Sequence, residues 1–208
     1  LDPKKTYVSK YDDLIKEYVG SLPTKVDRPP VITFAIGGAG AQQELGRQLI
    51  RTLTPLLKQK KLSLCIAVGT HMDELPEFKA VMEECGLTED EVTVKASKNK
   101  DQYFEEFTEI LRNTDILWTK PSEMSFYAAL GIPLILSDPI GSQEVRNRKW
   151  LLQIGSAIDQ FDPRYTNEWI MDLLNQGVLA EAAMQGFIEM ERDGVKNIKN
   201  TVFSHKKL

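Results

Sequence analysis

The chain has 208 residues, of which 42% are hydrophobic and 27% are charged, a composition typical of one large soluble domain that buries its own core. Its 30 acidic and 26 basic side chains give a net charge of −4, which argues against non-specific nucleic-acid binding. The two cysteines and two histidines form no Cys-x-x-Cys or related pattern, so a structural zinc site is not expected.

The first 30 residues differ in character from the rest of the chain. Aromatic and aliphatic residues recur there at helical spacing, at Tyr7, Tyr11, Leu14, Ile15 and Tyr18. Glycine and prolines then punctuate the segment up to the first apolar run. The pattern predicts an N-terminal helix and linker over 1–30, followed by a domain over 31–208. The helix either packs on that domain or connects it to another one, and the late start of the first strand favours the connector.

From residue 31 onward, short apolar runs alternate with longer amphipathic segments. The apolar runs predict strands at 31–36, 62–68, 92–96, 116–118, 133–136 and 157–158. The amphipathic segments predict helices at 42–60, 75–84, 101–112, 122–130, 146–154, 167–176 and 179–193. Strands that alternate with helices form a parallel sheet covered on both faces. The sequence therefore predicts an α/β, Rossmann-like three-layer sandwich with about six mostly parallel strands.

A glycine-rich loop over 37–42 follows the first predicted strand and opens a helix. Gly38 and Gly40 allow the backbone to approach a ligand closely, and the free N–H groups of a helix N-terminus favour a phosphate. The loop lacks the Gly-Lys-Ser/Thr of a Walker A motif, and Gln43 stands where a dinucleotide fingerprint has its third glycine. A tight turn without a ligand is an equal alternative at this loop.

The next two strand ends carry weaker signals. The loop at 69–71 has no acidic residue that would hold a ribose, which disfavours a nicotinamide cofactor, and His71 is interpreted as part of a helix cap. The third loop, which begins at Ser97, has the composition of a solvated loop.

The fourth loop combines a cation, a hydroxyl and a carboxylate in Lys120, Ser122 and Glu123. All three follow a strand, at the edge of the sheet where ligands bind in open α/β folds. A carboxylate accepts hydrogen bonds from ribose hydroxyls, while lysine and serine reach phosphate oxygens. Capping of the following helix by Ser122 and Glu123 is the alternative.

The fifth loop, over 138–144, brings an amide and carboxylates to the same edge. Sugar hydroxyls need both donors and acceptors, so this set suits a sugar. The alternative is again a helix cap, formed by Gly141 or Ser142.

The order and spacing of these motifs resemble the C-terminal, donor-binding domain of GT-B glycosyltransferases. The similarity is to the peptidoglycan N-acetylglucosaminyltransferase and diacylglycerol glycosyltransferase types, and it covers residues 31–200. The matching pieces are the glycine loop at 37–42, Lys120-Pro121, the segment 129–133, the segment 139–144 with Asn147, and the closing segment 193–198.

In that family the domain binds a nucleotide diphosphate sugar, usually a uridine one, and the resemblance implies no other cofactor and no metal. It implies that Gly38 and Gly40 lie near the diphosphate, that the backbone around Ser97 lies near the base, and that Glu123 binds the ribose. Ser122, Met124 and Ser125 would lie near the phosphates, and Gln143 and Glu144 would contact the donor sugar. Lys120 and Gly141 belong to the same implied site. The turn after Lys120-Pro121 is shorter than in the relatives, and an ungapped alignment places the ribose-binding glutamate on Phe126.

The resemblance implies hexosyl transfer from a UDP-sugar by a longer protein, whose acceptor domain or partner chain is not part of these residues. The first residue is Leu1 rather than methionine, which suggests a fragment, an excised piece or a processed product. Because no complete catalytic set is evident in these residues, the chain alone is expected to be inactive. Two alternatives remain, namely a non-catalytic assembly domain of the same ancestry and a nucleotide-sugar epimerase-like enzyme. No apolar run reaches the ~20 residues that span a bilayer, so we expect a cytoplasmic protein, with peripheral membrane association left open.

Overall fold

The computed structural model describes residues 12–14, 16–17, 20, 27–36, 42–122 and 124–204. Its six strands are β1 (Val31–Ala35), β2 (Ser63–Gly69), β3 (Val92–Ala96), β4 (Ile116–Thr119), β5 (Leu134–Leu136) and β6 (Ala157–Asp159). They form one sheet in the order β3-β2-β1-β4-β5-β6, and every neighbouring pair is parallel. This is the strand order of the doubly wound dinucleotide-binding folds. The predicted α/β, Rossmann-like class and the strand count are confirmed.

Helices connect consecutive strands and continue after β6. In the described residues they are α1 (Gln43–Lys58), α2 (Leu75–Cys85), α3 (Lys100–Arg112), α4 (Met124–Ala129), α5 (Ser142–Ile154), α6 (Thr166–Asn175), α7 (Val178–Glu189) and α8 (Gly194–Ser204). Short 3₁₀ turns precede α2 and α6, at Met72–Glu74 and Pro163–Tyr165. Gly86 closes α2 in the left-handed conformation at φ 62°, which is common for a glycine at a helix C-terminus.

One face of the sheet packs against α1, α2 and α6. The inward stripe of α1, Leu49, Ile50, Leu53 and Leu57, is fully buried against this face. Trp118, also fully buried, makes an edge contact with Phe34 at 6.2 Å between ring centroids and lies 5.3 Å from the Trp169 ring. Burial of these large side chains supplies most of the stabilisation of this layer.

The opposite face carries a second core under α3, α4 and α5. Its buried residues include Phe107, Leu117, Ala128, Leu136 and Leu151. Helix α7 closes this layer and crosses α4 at Gly186, where a Cβ atom would lie 2.6 Å from the carbonyl oxygen of Ala128. The two helix backbones approach this closely only because residue 186 has no side chain.

The central ladder joins β1 to β4 from Ile32↔Ile116 to Ala35↔Thr119. Asp115 fixes the lower end of this ladder, because its carboxylate accepts hydrogen bonds from the backbone N–H of Val31, at 2.7 Å, and from the Arg28 guanidinium. The hydroxyls of Thr33 and Thr114 share a buried hydrogen bond of 2.7 Å beside it. These contacts set the register of β1 against β4.

The predicted helices differ from the structure by up to four residues at their ends, and the differences at α4, α5 and α7 concern where a helix starts or stops. The predicted helix at 179–193 ends at Glu189, because the carboxylate of Glu191 accepts a hydrogen bond from the backbone N–H of Asp193 and the chain then re-enters a helix as α8. The predicted start of a helix at residue 122 is wrong, since α4 begins at Met124 after a bend. Helix α5 begins at Ser142, four residues before the predicted 146, because Glu144 caps its first turn.

Most of the predicted N-terminal helix and linker lies outside the described residues. Residues 12–14 and 16–17 are helical and exposed. No helix of the described part is long and apolar enough to cross a membrane.

The two cysteines should differ sharply in reactivity. Cys65 lies in β2 and is 8% exposed, whereas Cys85 is partly exposed at the end of α2. Burial raises the pKa of the Cys65 thiol to about 11, against the opposing effects of the Lys95 charge and a hydrogen bond with Thr33. Since the thiolate is the reactive form, we expect native Cys65 to react with a thiol reagent at pH 8 at least about 100-fold more slowly than after unfolding.

This difference can be measured by timed alkylation and mass spectrometry of each cysteine peptide. The denatured chain is the control, and there both cysteines should react at similar rates. Equal rates in the native chain would contradict the buried placement of Cys65.

Candidate functional site

The carboxyl ends of β1 and β4 define the crevice in which ligands bind in this fold. The chain leaves β1 towards β2 on one side and leaves β4 towards β5 on the other, so the connecting loops diverge between these two strands. The carboxyl ends of β1, β4 and β5, after which these loops were predicted, therefore lie side by side. The loop residues 37–41, with Gly38 and Gly40, lie outside the described residues.

Gln42 marks the start of α1 at this crevice. It is 9% exposed, and its Nε2 donates a hydrogen bond of 2.6 Å to the hydroxyl of Ser137, the residue that follows β5. Because β4 lies between β1 and β5, the Gln42 side chain spans the carboxyl end of β4. Its Oε1 is buried and has no hydrogen-bond partner among the residues that the structure describes. A buried acceptor of this kind is a ready contact for a donor group on a ligand.

Lys120 follows β4 directly and is 7% exposed. Its Nζ lies 3.7 Å from Oε1 of Glu144, which belongs to the first turn of α5. The other carboxylate oxygen of Glu144 accepts hydrogen bonds from the backbone N–H groups of Ile140, at 2.7 Å, and Gly141, at 3.4 Å. Glu144 therefore holds the fifth loop and the lysine together. Gly141 occupies the N-cap position of α5, in agreement with the alternative prediction that this loop forms a helix cap.

Pro121 and Ser122 form a tight bend after Lys120. The backbone N–H of Ser122 donates to the carbonyl of Lys120 at 2.8 Å, and the amide of Asn147 donates to the carbonyls of Pro121 and Ser122 at 3.1 and 3.2 Å. Asn147 thus ties α5 to the fourth loop, while the side chain of Ser122 is exposed at the edge. The structure brings the fourth and fifth loops together, as expected from the sheet order.

Three residues of the predicted site on this loop are not tested. Glu123 lies outside the described residues, and the side chains of Met124 and Ser125 at the start of α4 do as well. Their assignment to ribose and phosphate stays a prediction. Phe126, the alternative position for the ribose-binding residue, is 62% exposed on α4. Gln143 is exposed in the first turn of α5, at the same edge.

Ser97 is buried, and its backbone N–H and its hydroxyl both form hydrogen bonds within the protein. Its backbone N–H donates to the carbonyl of Gly69 at 2.8 Å, and its hydroxyl donates to the carboxylate of Glu106. Asn99, two residues later, caps α3 by accepting a hydrogen bond of 2.9 Å from the backbone N–H of Gln102. Residues 98–100 of this third loop are exposed, as predicted for a solvated loop, whereas Ser97 itself is buried. The proposed contact of this backbone with a base stays a prediction.

His71 lies at a helix N-cap, as predicted, but its side chain makes no capping hydrogen bond. It occupies the position before the 3₁₀ turn at Met72–Glu74. Its backbone carbonyl instead accepts a hydrogen bond from the N–H of Glu74 at 3.2 Å.

A polar cluster that was not predicted from the sequence lies at the ends of β5 and β6. Gln160 follows β6, accepts a hydrogen bond from the Trp118 indole at 3.1 Å and donates one to Asp138 at 3.4 Å. Arg148 of α5 forms paired hydrogen bonds with Asp159, and these bonds raise the pKa of the guanidinium. Together with Ser137, these residues stiffen the rim of the crevice. Ser137 and Gln160 are also polar residues directly after a strand. The rule that identified the other loops would therefore have identified these two residues as well.

The described residues contain no cluster of three or more His, Cys, Asp or Glu side chains with the arrangement of a metal site. Lys120 and the N-terminus of α1 contribute positive charge at this edge.

The comparison with family models matches residues 24–110 to a domain of unknown function, DUF6938. The comparison with curated proteins finds no match.

Solved structures give extensive matches. MurG from Acinetobacter baumannii matches with a TM-score of 0.65 and 18% identity, over 89% of this chain and 54% of that one. UDP-GlcNAc 2-epimerase from Neisseria meningitidis bound to UDP-GlcNAc matches with a TM-score of 0.57 and 13% identity, over 97% and 50%. The spinosyn rhamnosyltransferase SpnG complexed with thymidine diphosphate matches with a TM-score of 0.52 and 19% identity, over 82% and 45%.

At these identities the likeness concerns the fold. The chain has the Rossmann-like fold of one half of the GT-B glycosyltransferases and of the UDP-GlcNAc 2-epimerases, which confirms the predicted resemblance at the level of architecture. It spans about half the length of the solved structures it matches.

Proposed function

We propose that this domain binds a nucleotide diphosphate sugar in the crevice between β1 and β4, as the donor-binding half of a glycosyltransferase. The observation that carries the proposal is the buried Lys120 at the end of β4. It lies at the point where the strand order reverses and is held by Glu144 at 3.7 Å. The proteins of the same fold, which include glycosyltransferases, support this choice of ligand.

Individual positive groups at the crevice favour binding of an anion next to them. Lys120 is 7% exposed, and Glu144, its ion-pair partner among the described residues, also accepts two backbone hydrogen bonds. A buried ammonium group is costly unless it is compensated, and a diphosphate would add negative charge close to it. The N-terminus of α1 adds partial positive charge from the β1 side.

The polar groups around the lysine suit the remainder of such a ligand. Gln42 offers a buried acceptor oxygen, and Ser122 and Gln143 are exposed at the edge of the crevice. Hydroxyls of a ribose or hexose both donate and accept, so amide and hydroxyl side chains recognise them well. Glu123, Met124 and Ser125 belong to the proposed site on the basis of the sequence resemblance.

Hexosyl transfer from this ligand requires an acceptor and a general base, which we assign to a separate domain or partner chain. The domain described here would contribute positioning of the donor and stabilisation of the negative charge that develops on the leaving diphosphate. Lys120 would supply that stabilisation together with backbone N–H groups at the helix N-terminus. The chain alone is then expected to bind donor without transferring the sugar.

A second candidate is a sugar-nucleotide 2-epimerase, because the fold similarity to the UDP-GlcNAc 2-epimerase extends over 97% of this chain. Both candidates use the same ligand class, so ligand binding tests the shared part of the proposal. Product analysis of a longer protein, as a glycoside or an epimerised nucleotide sugar, would separate them.

Removal of the Lys120 charge should weaken nucleotide-sugar binding. We expect Lys120→Met, which keeps the length of the side chain, to lower the affinity by about 10- to 100-fold, as for the loss of a charge-assisted hydrogen bond. Isothermal titration calorimetry with UDP, UDP-GlcNAc, UDP-glucose and ADP-glucose measures the effect. Lys149→Met is a matched control, because Lys149 is exposed on α5.

Each result has a defined meaning. Binding that Lys120→Met weakens and Lys149→Met leaves unchanged supports the crevice site. Equal binding by the wild type and both variants would place the site elsewhere, and the absence of binding to all four nucleotides would count against the donor-domain function.

A further inference from the structure

The face of the sheet under α3 is only partly covered. A groove of about 1090 Å³ lies between α3 and the strands β1, β2 and β3. Its floor carries Val31, Cys65 and Thr93, and its wall carries Phe104, Glu105 and Glu109 of α3. Phe104 is 63% exposed. We call this feature the acidic groove.

The charge of the acidic groove is strongly one-sided. Its lining includes five carboxylates, on Asp90, Glu91, Glu105, Glu106 and Glu109, against one ammonium group, on Lys95. The carboxylate of Glu106 accepts a hydrogen bond from the Ser97 hydroxyl, and Glu109 forms a surface ion pair with Arg112. An apolar floor with an acidic rim is the complement of a basic amphipathic helix.

Helix α8 is such a helix, and it belongs to the same chain. Val195, Ile198 and Val202 recur at helical spacing on one side, and they are 84%, 67% and 58% exposed. Residues 194–208 contain four lysines and no acidic residue, in a chain whose net charge is −4. An apolar stripe of this exposure on a formed helix indicates a surface that is covered in the assembled state.

We propose that α8 of one copy docks in the acidic groove of a second copy, and that the exchange is reciprocal. Four residues separate the end of α7 from the start of α8, and α7 packs against β5 and β6. The groove lies over β1, β2 and β3, in the other half of the sheet. A second copy therefore reaches the groove more readily than the chain's own helix does. Two-fold exchange forms a closed, isologous interface.

The test is the oligomeric state of the full chain under charge reversal. We expect the wild type to sediment as a dimer and to dissociate more readily in 0.5 M salt, where attraction between exposed charges is screened over about 3–5 Å. Lys196→Glu/Lys199→Glu in α8, or Glu105→Lys/Glu109→Lys in the groove, should raise the dimer dissociation constant at least about tenfold. Sedimentation velocity over a concentration series measures these constants.

An equimolar mixture of the two double variants provides the sharpest result. Each variant alone places like charges across both contacts, whereas the mixed dimer places opposite charges across both. Recovery of the dimer in the mixture therefore supports docking between copies. A single chain that carries all four substitutions restores opposite charges within one molecule. If this chain behaves as the wild type while the mixture stays monomeric, the groove binds the chain's own helix, and the proposal is overturned.

Further outcomes are also decisive. The control variant Lys79→Glu/Lys149→Glu changes the net charge by the same amount as the double substitution in α8, at two exposed positions on other helices. It should leave the dimer intact. A monomeric wild type at all concentrations overturns the proposal, as does a dimer that both reversals leave unchanged. A monomer that binds anionic vesicles through its lysines would assign α8 to a lipid surface instead. Circular dichroism checks that each variant is folded. The result is independent of nucleotide binding.

Discussion

Trp118→Ala should destabilise the domain by about 3–5 kcal/mol. The indole is fully buried in the centre of β4, contacts the rings of Phe34 and Trp169, and donates a hydrogen bond to Gln160. Its loss leaves a large cavity in the first core and an acceptor without its donor. Urea denaturation followed by far-ultraviolet circular dichroism measures the change, which corresponds to a fall of about 10 °C in the melting temperature.

Trp150→Ala is the matched control, because Trp150 is 42% exposed on α5. A loss within about 1 kcal/mol is expected for this surface position. Trp118→Phe should fall between the two, since it keeps most of the buried ring and removes the hydrogen bond to Gln160. Similar losses for Trp118→Ala and Trp150→Ala would contradict the central position of Trp118 in the core.

Gly186→Ala should also destabilise the domain, by about 2–3 kcal/mol. Helix propensity alone predicts the opposite sign, because alanine is favoured over glycine in a helix interior by about 1 kcal/mol. In α7 the added Cβ would lie 2.6 Å from the carbonyl oxygen of Ala128 and 3.3 Å from Cβ of Ser156. Backbone atoms cannot move aside as a flexible side chain does, so α7 must shift away from α4.

The sign of the change makes this prediction easy to refute. Gly194→Ala introduces the same methyl group at the start of α8, where no atom lies within 4 Å, and it should be neutral or slightly stabilising. Chemical denaturation of both variants gives the comparison. A stabilised Gly186→Ala chain would show that the two helices are not in close contact at this position.

The periodicity of the sequence predicted the architecture well, because buried parallel strands read as short apolar runs between amphipathic helices. It predicted helix ends less well where side chains decide them. Glu144 starts α5 early through hydrogen bonds to the backbone of the fifth loop, and Glu191 interrupts the predicted final helix. Such local competition for backbone groups leaves no signature in hydrophobic spacing.

The location of the candidate site could be predicted from the topology, whereas its internal contacts could not. Polar residues after β4 and β5 had to meet once the strands were parallel, and Lys120 and Glu144 do so at 3.7 Å. The burial of Lys120 and the bond between Gln42 and Ser137 depend on how the loops close over the strand ends. The acidic groove escaped prediction for a related reason, since a parallel sheet is expected to be covered on both faces.

The β1–β4 ladder has a consequence for how the chain reaches its native state. The residues that pair across it, such as Ile32 and Ile116, are far apart in sequence, as are Asp115 and Val31 below them. During synthesis β1 can pair with β2 long before β4 emerges, so one side of β1 is an open edge until then. Pairing between strands that are so distant in sequence is slow, and until it occurs β1 exposes an unpaired edge that can aggregate. Nascent chains should therefore depend on chaperones until the segment around Ile116 has left the ribosome.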